Sequence, residues 1–300
     1  MVAAWPGRAP ASVRRMMLCV TTVLQTITDA RSALARDGRA GQTVALVPTM
    51  GALHDGHLSL MRLARQHADR VVVSIFVNPL QFGPGEDYDA YPRQLDADVR
   101  LLERAGVDWV FAPSVEQMYP NWPTTTMVTA GDAGRILEGE FRPTHFDGVL
   151  TVVAKLFAIA QPDIAIFGQK DAQQLALVRR MVADLNLPLR IVAAPIAREP
   201  DGLARSSRNA YLAGADRERA TVLSRALAAV ADAAGNGVSA ALDAGRAVYA
   251  SEPTVTVDYL VAVDAATFTP AGPDFHGDAL VLTAARVGIT RLIDNREVRF

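Results

Sequence analysis

Residues 44–57 read Val44-Ala45-Leu46-Val47-Pro48-Thr49-Met50-Gly51-Ala52-Leu53-His54-Asp55-Gly56-His57. The first four are apolar, which is typical of a strand buried on both faces of a parallel sheet. A turn containing Pro48 and Gly51 follows, and from His57 onward apolar residues recur at helical spacing. A strand that passes through a glycine turn directly into an amphipathic helix predicts the first strand–helix unit of an α/β fold.

Short apolar runs continue to alternate with amphipathic segments between residues 40 and 194. Parallel strands need helical crossovers, so this alternation predicts an open, doubly wound, Rossmann-like parallel sheet. The further predicted strands are 71–76, 108–111, 163–167 and 189–193. The predicted helices are 57–68, 94–105, 146–159 and 172–185.

The composition changes after residues 198–202, where alanine-rich segments precede three strand-like runs. This change predicts a second, smaller α+β domain, with a boundary near Ile196 that separates residues 18–196 from residues 197–300. The predicted helices of the second domain are 217–234 and 239–250, and its predicted strands are 255–263, 279–285 and 291–294.

Residues 1–17 show neither strand nor helix periodicity and are expected to form a disordered tail. A signal peptide is a competing interpretation, although the apolar segment after Met17 is short and is interrupted by Thr and Gln. A start codon assigned too early is another. The single cysteine, Cys19, has no partner for an internal disulfide, which fits a reducing cytoplasm.

The bulk composition narrows the classes of partner. Of the 300 residues 50% are hydrophobic and 21% charged, and 30 basic against 32 acidic residues give a net charge of −2. This is a soluble globular composition without the basic excess that nucleic acid or an anionic membrane favours. Every long apolar run is broken before the roughly 18–20 residues that a membrane-spanning helix needs. We therefore expect small-molecule partners.

Ligands of doubly wound sheets bind at the carboxyl ends of the strands, so the loops there are the candidate sites. In the first loop, His54 and His57 flank Gly56 at a helix start, where backbone N–H groups and the helix dipole favour a phosphate. The two imidazoles can donate to that phosphate and stabilise charge on a leaving pyrophosphate. The alternative is that both histidines merely cap the helix or pack against the turn.

The second loop is Asn78-Pro79-Leu80-Gln81-Phe82-Gly83. Its amide side chains can each donate and accept hydrogen bonds, which suits the hydroxyl and carboxylate groups of a small acid. A turn ordered by Asn78-Pro79 is the alternative.

The third loop, Gly168-Gln169-Lys170-Asp171, again joins a predicted strand to a helix. Lys170 is a compact positive charge that can reach an ATP phosphate, and Asp171 can cap the helix or contact ribose. A surface lysine beside a capping aspartate is the alternative.

A segment just past the predicted boundary offers Ser206, Ser207 and Arg208, which can bind phosphate oxygens as a loop closes and excludes water. A plain N-cap and turn is the alternative. Arg142 and His145 form a further basic pair that could meet a carboxylate or phosphate, and capping explains them equally well.

The run His54-Asp55-Gly56-His57 resembles the H-x-G-H signature of the nucleotidyltransferase superfamily. Five segments in this order and spacing resemble the pantothenate synthetase family more specifically, and the likeness extends from about Leu24 to Asn295. The segments are 48–58, 74–82, 142–153, 167–175 and 198–212.

This resemblance implies a two-step, ATP-dependent reaction. Pantoate attacks the α-phosphorus of ATP to give pantoyl adenylate, and β-alanine then displaces AMP to form the amide. The resemblance also implies Mg²⁺ bridging the phosphates, a cytoplasmic homodimer, a nucleotide- and pantoate-binding larger domain, and a smaller domain that acts as a lid.

The resemblance implies roles for individual residues. His57 is implied as proton donor, with His54 and Lys170 as the other catalytic residues; Gln81 and Gln174 would hold pantoate, and Asn78 would support the β-alanine site near Gln81. Ala197 would touch adenine through its backbone. The implied ATP contacts are Met50, Gly51, Ala52, Leu53, His54, Asp55, Gly56, His57, Gly168, Gln169, Lys170, Asp171, Ala197, Arg205, Ser206, Ser207 and Arg208.

Two positions depart from the family's usual pattern, which has Glu at the position of Gln169 and Met at that of Arg205. Gln169 keeps the size but loses the charge, and Arg205 adds a cation near ATP. The protein ligands of Mg²⁺ stay open, because Asp96 and Asp98 could approach the ion but are equally expected at a helix start.

Two rival functions are weighed against this expectation. A nucleotidyltransferase acting on a phosphorylated acceptor should carry extra Arg or Lys near the second loop, which instead offers Asn78 and Gln81. A non-catalytic nucleotide sensor should have lost His54, His57 or Lys170, and all three are present.

Overall fold

The computed structural model describes residues 21–300, so the predicted tail at 1–17 and Cys19 lie outside the described residues. The strands are β1 (Thr22–Leu24), β2 (Val44–Thr49), β3 (Arg70–Ile75), β4 (Trp109–Phe111), β5 (Ile164–Gly168), β6 (Arg190–Ala194), β7 (Val255–Asp264), β8 (Asp278–Val287) and β9 (Thr290–Arg299). The helices are α1 (Ile27–Arg39), α2 (Asp55–His67), α3 (Leu95–Arg104), α4 (Val115–Met118), α5 (Glu138–Phe141), α6 (His145–Ala160), α7 (Ala172–Asp184), α8 (Ala215–Arg219), α9 (Val222–Asp232) and α10 (Val238–Ala250).

The larger sheet is parallel throughout, with the strand order β1-β4-β3-β2-β5-β6. From β2 the chain moves outward through β3 and β4 on one side and later through β5 and β6 on the other. The crevice between β2 and β5 is therefore the topological switch point, where such sheets bind ligands. The predicted doubly wound α/β class is confirmed.

Alternation along the strands gives the sheet two buried faces. Val44 and Leu46 of β2 pack in one core cluster with α1, α6 and α7, whereas Ala45 and Val47 pack in another with α2 and α3. Successive side chains of a strand point to opposite faces, so a continuous apolar run is needed to fill both cores. This is why the buried strands were recognisable in the sequence.

The sequence prediction missed β1 and α1. β1 has only three residues, two of them exposed, and its place at the edge of the sheet comes from parallel pairing of Thr22 with Trp109. The single helix predicted at 217–234 is wrong, since the structure has α8, α9 and a short 3-10 turn there. No glycine or proline marks the break between the two helices, so the periodicity did not reveal it.

Strands β7, β8 and β9 form an antiparallel sheet covered by α9 and α10. Leu223 and Leu227 of α9 are 1% exposed in the core beneath this sheet. Val263 and Leu282 contact Ala172 at the start of α7, which joins the smaller sheet to the larger unit close to the third predicted loop. Among the described residues, no helix combines the length and apolar character needed to cross a membrane.

Candidate active site

The predicted loops converge at the switch point. A cavity of about 270 Å³ lies beyond the carboxyl ends of β2 and β5. All four predicted loop segments contribute to its wall. Lining residues include Met50, His54, Gly56, His57, Gln81, Arg142, His145, Gly168, Lys170, Asp171, Gln174, Ala197, Arg205, Ser206, Ser207 and Arg208.

His54 and His57 cap the start of α2 reciprocally. The backbone N–H of Gly56 donates to His54 Nδ1 at 3.1 Å, and the backbone N–H of His54 donates to His57 Nδ1 at 3.3 Å. Since Nδ1 accepts in both rings, the proton of each neutral imidazole is on Nε2. The capping alternative is therefore correct as far as it goes, but both residues also line the cavity and keep an Nε2–H donor.

The surroundings of the two histidines keep them neutral. Burial lowers the pKa of His57 to about 3, with further lowering by His54 and Lys170. Burial also lowers the pKa of His54, and Lys170 and Arg205 add to this effect. A neutral imidazole donates through Nε2 and can take up a proton when an anion arrives beside it.

The turn before α2 is shaped by close contacts. Gly51 has φ +81°, and a Cβ there would lie 2.9 Å from Asp98 Oδ2. The buried Asp98 carboxylate accepts the backbone N–H groups of Ala52 at 3.0 Å and Leu53 at 2.9 Å. At Gly56, a Cβ would come within 2.8 Å of the His54 ring. Asp98 thus orders the turn, and Gly56 leaves room for the imidazole.

Asn78 lies behind Gln81 rather than on the cavity wall. It is 1% exposed, and its amide donates to Gln81 Oε1 and to the carbonyl of Gly148, both at 3.1 Å. Its oxygen accepts from the hydroxyl of Tyr119 at 2.8 Å and from the N–H of Leu80. The turn alternative and the predicted supporting role both fit this position, because Asn78 fixes the side chain that reaches the cavity.

Arg142 and His145 hold the main chain of the second loop. His145 Nδ1 donates to the carbonyl of Gln81 at 2.8 Å, while Arg142 contacts His145 Nε2 at 3.1 Å and the same carbonyl at 3.2 Å. A salt bridge of 2.5 Å ties Arg142 to Glu86. Burial and the adjacent Arg142 lower the pKa of His145 to about 4, so the ring stays neutral.

The third loop places Lys170 and Gln174 on the cavity. Asp171 occupies the N-cap position of α7 without a side-chain capping bond, so the capping interpretation of its side chain does not hold. Gln169 turns toward the smaller sheet, where its amide donates to Glu297 Oε1 at 2.7 Å. Its amide thus reaches the neighbouring sheet.

The fourth segment also combines capping with the cavity. Ser206 caps the 3-10 turn Ser207–Tyr211 by accepting the N–H of Arg208 at 3.3 Å. Arg205 forms ion pairs with Asp55 at the start of α2 and, at 3.2 Å, with Glu199. Within residues 21–300, neither the Lys170 ammonium nor the Arg208 guanidinium has a carboxylate partner, so both charges are available to an anion.

A second cavity, of about 430 Å³, continues from the first toward the smaller sheet and shares Arg142, His145, Lys170, Ser206 and Arg208 with it. The sequence reasoning missed the residues of its far wall. There Arg291 forms a bidentate pair with Glu138 at 2.6 and 2.7 Å, and also contacts Asp258 at 2.6 Å.

The far wall also includes Asp294 and Asn295. The only sequence signal for these residues is a charged or polar side chain at the end of the predicted strand 291–294 or directly after it, and such side chains are rarely buried. Among the described residues, no group of three or more His, Cys, Asp or Glu side chains could hold a metal ion.

Comparison with known proteins agrees with this geometry. The family model described as pantoate-beta-alanine ligase matches residues 22–297. A pantothenate synthetase from Thermobifida fusca is 59% identical over 261 residues, which cover 84% of this chain and 88% of that protein.

Solved structures give the same result. The crystal structure of a pantothenate synthetase from Thermus thermophilus has a TM-score of 0.87 at 48% identity and covers 93% of this chain and 99% of its own. A pantoate-beta-alanine ligase from Francisella tularensis, complexed with beta-gamma ATP and β-alanine, has a TM-score of 0.74 at 33% identity, covering 92% and 97%. The resemblance inferred from the five sequence segments is confirmed: the chain belongs to the pantoate-β-alanine ligase family.

Proposed function

We propose that this ligase condenses pantoate with β-alanine at the expense of ATP, through a pantoyl-adenylate intermediate. The observation that carries the proposal is the convergence of four groups on one cavity. Two neutral imidazoles, His54 and His57, line it together with Lys170 and Arg208, whose charges have no carboxylate partner in residues 21–300. Such donors and cations suit a triphosphate at a helix N-terminus.

In the first step, a carboxylate oxygen of pantoate attacks the α-phosphorus of ATP. The new P–O bond forms as the bond from the α-phosphorus to the bridging oxygen breaks, and pyrophosphate leaves with the electron pair. Lys170, Arg208 and the start of α2 offset the charge on the leaving group, and His54 and His57 donate to it through Nε2. His57 acts here as a hydrogen-bond donor to the leaving pyrophosphate, and its ring stays neutral.

In the second step, the amine of β-alanine attacks the carbonyl carbon of the adenylate. The amide C–N bond forms as the C–O bond to phosphate breaks. AMP leaves with the electron pair of that bond, and the proton lost by the nitrogen passes to solvent. Gln81 and Gln174 line the cavity and offer hydrogen bonds to pantoate, and Asn78 holds Gln81 from behind. Catalysis here depends on alignment and exclusion of water rather than on a protein nucleophile.

The ATP-binding residues follow from the same cavity. Residues 50–57 and 168–171 would surround the phosphates, Ala197 would meet adenine through its backbone, and residues 205–208 would close the site. The Francisella relative is complexed with beta-gamma ATP and β-alanine, which supports ATP and β-alanine as the ligands proposed for this chain. Mg²⁺ would enter with the nucleotide and offset the negative charge of its phosphates. Asp98, one of the two acidic candidates, already accepts two backbone N–H groups.

Three further properties are part of the proposal. Residues 197–300 would move as a lid over the larger domain of residues 18–196, supported by the cavity that lies between the two sheets. The protein would act in the cytoplasm as a homodimer, as its family resemblance implies.

The experiment that tests the proposal measures AMP and pyrophosphate release from ATP and Mg²⁺ with D-pantoate, with and without β-alanine. We expect AMP release to require both substrates and to collapse in His57→Ala. His67→Ala, at the exposed end of the same helix, is the matched control and should keep wild-type turnover. The absence of turnover with pantoate would overturn the proposal and point to another acceptor or to a binding protein.

A further inference from the structure

Asn295 of β9 holds the main chain of the third loop. Its amide nitrogen donates to the carbonyl of Gln169 at 2.9 Å and to the carbonyl of Lys170 at 3.0 Å. The side chain is 1% exposed and reaches across from the smaller sheet to residues 125 and 126 positions away in sequence. The peptide that carries Lys170 is therefore fixed by β9 and not only by its own strand.

The neighbouring Asp294 holds the opposite side of the site. Its carboxylate accepts from Arg198 at 2.7 and 3.0 Å, and Arg198 also donates to the carbonyls of Gly202 and Asn295. Asp294 is 3% exposed, whereas the Arg198 side chain is 31% exposed, so the carboxylate is the buried partner of this bidentate pair. Arg198 follows Ala197 directly, at the base of the segment that leads to residues 205–208.

These two contacts converge on one dipeptide. The N–H of Asn295 donates to Asp294 Oδ1 at 2.7 Å, which sets the two side chains relative to each other. In addition, the backbone N–H of Arg205 donates to the carbonyl of Ala197 at 2.9 Å, so the anchored base continues into the closing segment. The Lys170 loop and the 198–205 segment thus share a single buried support.

One feature of Asn295 is unfavourable for stability alone. Its Oδ1 is buried with no hydrogen-bond partner in the described part of the chain. A buried, unsatisfied amide oxygen lowers stability, and such groups in folded proteins commonly accompany a functional demand. In Asn295, the two N–H donors of the same amide hold the third loop, and a smaller or apolar side chain would lack these donors.

We propose that Asp294 and Asn295 are positioning residues for ATP. Asp294 acts through Arg198, and Asn295 acts through the carbonyls of Gln169 and Lys170. Together they set the spacing between the two loops that bind the nucleotide. This inference rests on the proposed function for the identity of the nucleotide. Neither side chain is assigned a contact with substrate. Both act through the groups they hold.

The test compares Asn295→Ala and Asp294→Asn with Val298→Ala, a substitution of a buried residue of the same strand whose side chain packs in the core of the smaller sheet. Binding of the non-cleavable analogue α,β-methylene ATP is measured by calorimetry, the KM for ATP and for pantoate by steady-state kinetics, and stability by thermal unfolding. We expect analogue Kd and ATP KM to rise on the order of tenfold in Asn295→Ala and Asp294→Asn, with pantoate KM changed less than about twofold. Val298→Ala should lose stability with unchanged ATP binding.

Two outcomes would overturn the inference alone, and a third would overturn the proposed function as well. Wild-type nucleotide affinity in both variants, or an equal loss of affinity in Val298→Ala at matched stability, would overturn the inference while leaving the proposed function intact. A wild-type protein that does not bind the analogue would overturn both. If Asn295→Ala does not fold, Asn295→Ser and Asp294→Asn are judged by the same criteria.

Discussion

The imidazole of His57 accepts the backbone N–H of His54, while the imidazole of His54 accepts the N–H of Gly56, and the two ring centroids lie 4.1 Å apart. A capping pair normally satisfies helix donors and nothing more. Here the same two bonds place the proton of each neutral ring on Nε2, at a cavity that also contains Lys170. Structural capping and the proposed catalysis are therefore properties of the same hydrogen bonds.

The first prediction concerns the reaction rate. His57→Ala removes an Nε2–H donor and one bond of the capping pair, so we expect kcat to fall on the order of a hundredfold or more. His57→Gln keeps an acceptor for the His54 N–H and should recover stability but little activity. Steady-state AMP release and thermal unfolding of both variants check this, and equal activity in His57→Gln and wild type would contradict it.

The second prediction concerns pH and stability. The pKa of His57 is lowered from 6.5 to about 3, so between these values the unfolded chain binds more protons than the folded protein. The free energy of unfolding should therefore fall as pH decreases through this window, by at most about 1.4 kcal/mol per pH unit from this group. His145, lowered to about 4, acts in the same direction.

Urea unfolding of wild type, His57→Gln and His145→Gln across this range measures that effect. Each variant should show a shallower loss of stability on acidification, because one group that protonates only on unfolding is gone. Above about pH 7.5 the difference between wild type and variant should stay constant, since both states of the histidine are then neutral. Parallel curves at acid pH would contradict the assignment.

The third prediction concerns Gly56. A methyl group there would approach the His54 ring to 2.8 Å, so Gly56→Ala should displace the imidazole and raise the KM for ATP about tenfold. Gly38→Ala is the matched control, because Gly38 lies in α1 with no atom near the position of its added Cβ. It should be neutral or slightly stabilising. Kinetics that do not distinguish the two variants would disprove the steric argument.

The fourth prediction concerns Arg205, whose guanidinium pairs with Asp55 and Glu199. If this ion pair holds the closing segment against α2, then Arg205→Met and Asp55→Asn should each raise the ATP KM about threefold. The ATP KM of the double variant should then be no higher than that of the more impaired single variant. The effects should shrink at high salt, because the pair is partly exposed.

Arg246→Met is the control for that series, since Arg246 pairs with Asp243 on the surface of α10. Additive effects of the two active-site substitutions would mean that Arg205 acts on the nucleotide directly, as the sequence suggested, and not through Asp55.

Much of the larger sheet followed from local pattern. The runs 44–47, 71–76 and 163–167 are apolar with little interruption, and the structure places β2, β3 and β5 there. β1 escaped prediction because a three-residue edge strand with two exposed side chains carries no such run. The break between α8 and α9 escaped because helix propensity continues across it.

The candidate site divides in the same way. Residues on strand-to-helix loops, such as His57 and Lys170, were found because a parallel sheet brings the carboxyl ends of its strands together. Gln169 stays a predicted ATP contact, and in the structure its side chain donates to Glu297 of β9. That contact joins residues 128 positions apart, and no local pattern encodes it.

Strand and helix periodicity, glycine turns and the spacing of five segments can be read from the sequence by itself. They determined the α/β class, the family and the loops that line the cavity. The supports of those loops, Asn78 behind Gln81 and Asp294 with Asn295 behind the third loop, were decided only by tertiary structure. A buried polar side chain must be hydrogen-bonded, because leaving it unpaired costs free energy. Its partners here come from segments that are distant in sequence, so they can be identified only once those segments have packed together.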